Sequence, residues 1–480
     1  MVADVCVADG IVAKIGRPGE ARSWPEHPSN GATDSNVISQ EGHADEVLLT
    51  PGLVDIHTHI FGSAGVARVD EIGTEVGVPI IVDAGGAGAA TIDDFAAMRM
   101  PAAKTRVKMM LSIEAGGITD FHRGHNTTRS ASAMITSSMD TFLSAVERHR
   151  DNVVGLKVWA SAAAGQRWIE HAVNLSEISE LPMFVHVGEL DDPDAVSISG
   201  DVLDHLQGGD IVTHCFTGLP GALIDSAGNI LPEVTAARDR GVLFDVAPGE
   251  VNLSFDRAEA AMAQGWLPDT ISSDVHRWAR RRISTMSLPY VLNMFLALGL
   301  SLNRAIQCAS TNPAQAIGIE TGEPRIGSPA TLSVMRRVTG PVIVSDGTRS
   351  IRGTESLVPV GCFVDGEWIE AAAGDRAGTA SPAHSPASRT FLTSLTEELE
   401  HYRSHDTDWE GAELHRLVHR ARVQSELSVT AAMETLYAGL SPEDTTLAAG
   451  WLLEALGPDG SFEHIADLRD ETLPKVISQS

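Results

Sequence analysis

Cysteine is scarce in this chain. Four residues in 480, Cys6, Cys215, Cys308 and Cys362, stand far apart with no CxxC pair. That excludes a disulfide framework and fits reduced thiols in a cytoplasm. Basic residues are also few, 35 Lys and Arg against 64 Asp and Glu, for a net charge of −29. Phosphate-rich partners reward Lys and Arg, so nucleic acids and anionic membranes are disfavoured. No apolar run reaches the roughly 20 residues that cross a bilayer. The opening MVADVCVADG has neither the basic start nor the apolar core of an export signal. What is present is 43% hydrophobic and 21% charged residues, an ordinary globular composition. An enzyme acting on a small molecule is the default class, in a chain long enough for one barrel-sized domain and smaller additions.

Three textures follow one another along the chain. Residues 1–50 begin with VCVADGIVAKIG, two β-prone runs around Asp9-Gly10, which predicts a hairpin. RPGEARSWPEHPSNGATDSN then reads as loop. From residue 51, short apolar runs alternate with helical stretches. The runs are 52–59, 78–85, 106–113, 153–161, 181–189, 210–216, 241–249 and 269–276. Eight such strands predict an α/β fold built on a (β/α)8 TIM-like barrel over 51–324. An open doubly wound sheet would need a glycine-rich phosphate turn after its first strand, where this chain has HTH. Residues 325–370 return to strand-like text and are expected to join 1–50 in a small β-domain. Residues 371–390 read as an Ala-, Gly-, Ser- and Pro-rich linker. Residues 391–480 read as a helical accessory region, with Val429, Met433, Leu436 and Tyr437 at helical spacing and an SPED start at 441–444. That tail is expected to dock on the chain's own surface or on a neighbouring subunit.

The polar residues on the barrel strands carry the chemistry. In PGLVDIHTHIFG, residues two apart face the same way on an extended chain, so His57 and His59 present two imidazoles together while Thr58 turns away. Lys157 lies late in strand 4, His186 in strand 5, His214 in strand 6 and Asp274 in strand 8. Any one of them could be packing: a hydrogen-bonded core histidine, an outward lysine or a helix cap. Six at the same end of five strands, where barrel active sites form, point to a metal nest. Histidine offers a neutral nitrogen and aspartate an anionic oxygen. A protonated lysine has no lone pair to offer.

The ordered set PGLVDIHTH, GLKVWAS, MFVHVGE, DIVTHCFTG, GVLFDV and DTISSDVH resembles the amidohydrolase superfamily, in particular its deacetylase, dihydroorotase-like branch. The resemblance spans about residues 1–370. It implies two divalent metals, zinc in the first instance with Mn2+ or Fe2+ as alternatives. His57, His59 and Asp274 would hold one metal, His186 and His214 the other. Lys157, carbamylated by CO2, would bridge them. It further implies a nucleophilic hydroxide, and Asp274 as the base that carries its proton to the leaving group. Weaker candidates for substrate contact are Gly86 and Gly88 in DAGGAG, Glu189 and His276; the glycines read equally well as a strand-to-helix turn. Cys215 should face away from His214, into the core.

Three departures stand out. Relatives carry GHG after strand 7, where this chain has FDVAPGE with Pro248 in the His position. They also have extra strands before the hairpin, so an exposed β-domain edge is expected here. The helical tail is foreign to the pattern. The expected activity is metal-dependent hydrolysis of an amide or ester, with an N-acyl or O-acyl carboxylate as substrate, in a cytoplasmic homo-oligomer. The alternatives are a cyclic-amide hydrolase of dihydroorotase or hydantoinase type, or a non-catalytic scaffold.

Overall fold

The computed structural model describes residues 3–118, 136–159, 166–188, 202–372, 386–404 and 411–425, with short gaps at 19, 24–34, 39–45, 63–64, 67, 102, 278 and 283–285, and isolated positions between 432 and 466. Strands β1 (Asp4–Ala8) and β2 (Ile11–Gly16) form the expected hairpin. Its turn residues Asp9 and Gly10 have φ of 54° and 76°, the left-handed pair that the right-handed twist of a tight hairpin favours. Strand β3 (Ser35–Ile38) pairs with the other side of β1. The first strand is therefore the centre of a three-stranded sheet, with β2 and β3 at its edges.

Strand β4 (Glu46–Pro51) leads into the barrel strands β5 (Val54–Thr58), β6 (Ile80–Gly88), β7 (Arg106–Ser112), β8 (Val153–Trp159), β9 (Met183–His186), β10 (Ile211–Thr213) and β11 (Leu243–Phe244). These seven are parallel and lie side by side in chain order. Alternation divides each strand between two layers. Val54, Ile56, Ile80, Val82 and Phe184 join Ala314 and Ile317 in one buried apolar cluster, and Phe184 also meets the His57 ring edge-on at 5.0 Å. Asp55 and His57 lie on the opposite side of β5, buried at 0% and 1% exposure.

The eighth expected strand, 269–276, is reduced to two single bridges, Asp245 with Thr270 and Thr58 with Val275. They nonetheless reach both edges of the seven-stranded sheet and close it. Backbone bonds from Asp274 N to His57 O at 2.7 Å and from His59 N to Val275 O at 2.9 Å make the seam. Side chains supply what the ladder lacks. The Asp55 carboxylate accepts from Ser273 N at 2.9 Å and Ser273 Oγ at 2.6 Å. Local hydroxyls compete with strand pairing, and Asp274 at φ 49° breaks the extended run.

After the barrel, β12 (Leu332–Ser345), β13 (Ser350–Val364) and β14 (Glu367–Glu370) form a sheet with β4 in the order β14-β13-β12-β4. Val5, Val7 and Val12 pack on Leu332, Val334 and Phe363.

Contacts divide the chain into two compact units. One is Met1–Arg280, Met286–Gly340 and Asp346–Gly374; the other is Arg281–Thr285, Pro341–Ser345 and Asp375–Ser480. In the second, helices Pro386–Arg403 and Gly411–Gln424 bury Phe391, Leu395 and Leu399 against Leu414, Leu417 and Val418, with Leu436, Leu453 and Ile465 added. The first helix starts at Pro386, inside the expected linker, because proline is well placed in a first helical turn. Of the expected stripe, Leu436 is in this core, whereas Val429, Met433, Tyr437 and the SPED segment lie outside the described residues.

Candidate metal centre

The expected donors converge. His57 is the next-to-last residue of β5 and His59 lies just beyond the strand, their rings 5.3 Å apart, while the Thr58 hydroxyl turns away to donate to Val82 O at 2.8 Å. Both imidazoles meet Asp274 Oδ1, with Nε2 at 3.3 Å for His57 and 3.0 Å for His59. His214 Nε2 lies 4.0 Å from Asp274 Oδ2 and 2.9 Å from His186 Nδ1. Lys157 Nζ lies 3.2 Å from His57 Nε2. Donor atoms of His57, His214 and Asp274 all fall within 4.8 Å of one another, close enough to share one ion.

The outer hydrogen bonds fix which nitrogen faces inward. A carbonyl can only accept, so His214 Nδ1 donates to Ala247 O at 2.7 Å and its Nε2 keeps the lone pair. By the same logic His186 Nε2 donates to Gly188 O at 3.2 Å and its Nδ1 keeps the lone pair. The Thr213 hydroxyl donates to Asp245 Oδ2 at 2.9 Å, so toward His57 Nδ1, 3.0 Å away, its oxygen accepts. His57 Nε2 therefore also faces inward as a lone pair. His186 and His214 thus aim two lone pairs at each other with no proton between them. Such an arrangement is repulsive by itself and becomes favourable around a cation. His59 Nδ1 adds a buried nitrogen with no hydrogen-bond partner.

Electrostatics agree with that reading. Burial, aided by Lys157, keeps His57 neutral, and burial likewise pushes His214 down to about 4. Burial disfavours charge on Asp274, but His57 and His59 outweigh it and hold the carboxyl well below the usual carboxylate range. Burial lowers Lys157 to about 8 against the pull of Asp274, Asp245 and Asp83. Three residues here adopt left-handed backbone, His214 at φ 69°, Ala247 at 44° and Asp274 at 49°. Such strain in non-glycine residues collects at functional sites.

Two glycines, Gly85 in the DAGGAG run and Gly249, make room for this cluster. A Cβ on Gly85, at φ +86°, would fall 2.6 Å from Lys157 Cγ. One on Gly249, at φ +52°, would fall 2.3 Å from Asp274 Oδ2. The DAGGAG run is the end of β6, not a turn after it. Gly86 lies against the Asp83 carboxylate and Gly88 against the backbone of Glu114 and Ala115, so both are accounted for by packing. His276 is buried beside His59 with ring centroids 6.1 Å apart, and its Nδ1 accepts from Ala279 N at 3.3 Å. Glu189 lies outside the described residues. Cys215 is core, its thiol pushed well up by burial. Pro248 sits in a stretch that serves the site through its backbone: Ala247 O holds His214, and Gly249 N donates to Ser273 O at 3.1 Å.

Residues 48–369 match the sequence profile of the amidohydrolase family. The chain belongs to that family. Like other amidohydrolases it is a hydrolase acting on C–N bonds, of a family that generally uses divalent metals, and its buried histidine–aspartate cluster fits one. It is similar to the deacetylase Atu3266 of Agrobacterium fabrum, 29% identical over 318 residues, 65% of this chain and 72% of that one. A deacetylase of Brucella anthropi is 29% identical over 315 residues, 64% of this chain and 72% of its own. Among solved structures, a dihydroorotase is 27% identical with a TM-score of 0.64, over 77% of this chain and 93% of the other. As in that barrel family, the substrate is a small molecule. Among the described residues no helix is long and apolar enough to cross a membrane.

Proposed function

We propose that this amidohydrolase is a deacetylase-type enzyme, cleaving an N-acyl or O-acyl carboxylate with His57, His59, Lys157, His186, His214 and Asp274 as the ligands of two metals. The observation that carries this is the inward set of lone pairs on three histidines whose outer nitrogens are committed elsewhere. The similarity to two deacetylases supports the choice of acyl substrate. Zinc is the proposed metal, because imidazole and carboxylate donors suit it, with Mn2+ and Fe2+ as alternatives.

Divalent cations held there supply Lewis acidity and a nucleophilic water at neutral pH. The chain's own residues do the rest. Lys157 is the only amine among these donors, and burial gives it a neutral fraction near neutral pH that can add to CO2. The product is a carbamate, which converts a cation into an anionic two-oxygen ligand. Asp274, ionised in its cage of imidazoles, takes a proton from the attacking water at Oδ2 and returns it to the leaving nitrogen or oxygen. Water oxygen joins the acyl carbon, the C–N or C–O bond breaks, and the carboxylate and amine or alcohol separate. His276 is a candidate substrate contact at the rim, beside His59.

A second reading, hydrolysis of a cyclic amide, is favoured by the likeness to a dihydroorotase. A hydrolysis screen of acetylated amino and hydroxy acids, dihydroorotate and hydantoins, with metal analysis of the same sample, separates the two. Two metals per chain with turnover of acyl substrates is the expected outcome; a metal-free or inactive wild type would refute the proposal. Four buried thiols support a cytoplasmic setting. Light scattering tests the homo-oligomer. Limited proteolysis tests the proposed division into 1–50 with 325–370, 51–324 and 391–480.

A further inference from the structure

Asp245 follows β11 and is fully buried. Its carboxylate accepts three hydroxyls: Thr213 Oγ1 at 2.9 Å, Thr270 Oγ1 at 2.8 Å and Ser272 Oγ at 2.7 Å, all from fully buried residues. Those donors come from two places. Thr213 ends β10 and touches His57, on the far side of the barrel in sequence. Thr270 and Ser272 belong to the closing segment that carries Asp274, a segment tied to its neighbours by single bridges. We propose that Asp245 is a positioning residue for the metal centre, setting the tautomer of His57 through Thr213 and the placement of Asp274 through Thr270 and Ser272.

The chemistry follows from donor arithmetic. A carboxylate has acceptors only, so it claims the single proton of each hydroxyl. With its proton given to Asp245, Thr213 can only accept from His57 Nδ1, and His57 Nε2 must face the other donors bare. An amide in place of Asp245 has one accepting oxygen and an NH2 that needs acceptors. Thr213 and Ser272 share Oδ2 while Thr270 meets Oδ1, so with the NH2 on the Oδ2 side the Thr213 hydroxyl has to turn, which frees it to donate to His57 Nδ1. His57 would answer by protonating Nε2, directing a proton to where a cation should bind. Outer partners of this kind are worth about 10- to 100-fold in metal affinity.

This inference rests on the metal-centre reading, and the experiment separates the two. Zinc affinity by chelator competition, the absorption spectrum of the cobalt-substituted protein and the metal-free melting temperature are measured for full-length wild type, Asp245→Asn, Thr213→Val and Thr213→Ser. Asp245→Asn and Thr213→Val are expected to lose about 10-fold or more in zinc affinity with an altered cobalt spectrum, and Thr213→Ser to stay within about threefold of wild type. Because both residues act along one chain of bonds, Asp245→Asn combined with Thr213→Val should be no weaker than the worse single variant. Wild-type affinity and spectrum in Asp245→Asn would overturn the inference while leaving the metal centre standing. So would equal losses in Thr213→Ser and Thr213→Val, a pair that still decides the matter if Asp245→Asn does not fold. A wild type that binds no metal would overturn the metal-centre reading itself.

Discussion

Replacing Gly85 with alanine adds one methyl group directly beneath Lys157. The new carbon would fall 2.6 Å from Lys157 Cγ and 2.7 Å from its Cβ, well inside contact distance. Lys157 cannot swing aside cheaply, since it is 2% exposed and its tip is fixed 3.2 Å from His57 Nε2. Two costs add. Left-handed backbone in a residue with a Cβ costs about 1–2 kcal/mol. Overpacking a full core costs about 1–3 kcal/mol more. Gly265 separates the two, because it also has positive φ, +79°, but nothing within 4 Å of a new Cβ. In urea melts of metal-free protein, Gly265→Ala should lose about 1–2 kcal/mol. Gly85→Ala should lose about 2–5 kcal/mol. Metal analysis should show a displaced Lys157 as lower occupancy in Gly85→Ala and unchanged occupancy in Gly265→Ala. If the two variants melt alike and bind metal alike, the close approach of Gly85 to Lys157 is not a constraint on the site.

Other outcomes follow from the same geometry. Lys157→Ala should lose metal and activity, and short carboxylic acids should restore part of both by standing in for the carbamate; full activity without them would refute its role. Asp274→Asn keeps shape and an oxygen donor but no base, so kcat should fall by about 10²-fold or more with metal still bound. A kcat within about threefold of wild type would place the base elsewhere. Burial moves Lys157 from 10.5 to about 8, so the neutral amine that reacts with CO2 appears in that lower range. Metal uptake by stripped protein at fixed dissolved CO2 should therefore quicken roughly tenfold from pH 7 to 9; a flat profile would count against carbamate formation as the limiting step.

Much of this protein is set locally by its sequence. The period of two on an extended chain put His57 and His59 on one face, and Asp9-Gly10 could close only a tight hairpin. Near-continuous apolar strands require cover on both sides, which a barrel ringed by helices provides, and polar residues that interrupt such strands must be held for a reason. Other features depended on partners distant in the chain. Thr213 meets His57 across 156 residues and Asp245 across 32, so no local pattern marks it as the residue that orients an imidazole. Gly85 and Gly249 read as ordinary turn-formers until Lys157 and Asp274 are seen packed against them. The closing strand kept its place with only two bridges because carboxylates from other strands hold its hydroxyls. Residue type and spacing are local, and they determined which groups could bind a metal; tautomer, clearance and closure are properties of contacts between distant segments, and only the folded chain decided them.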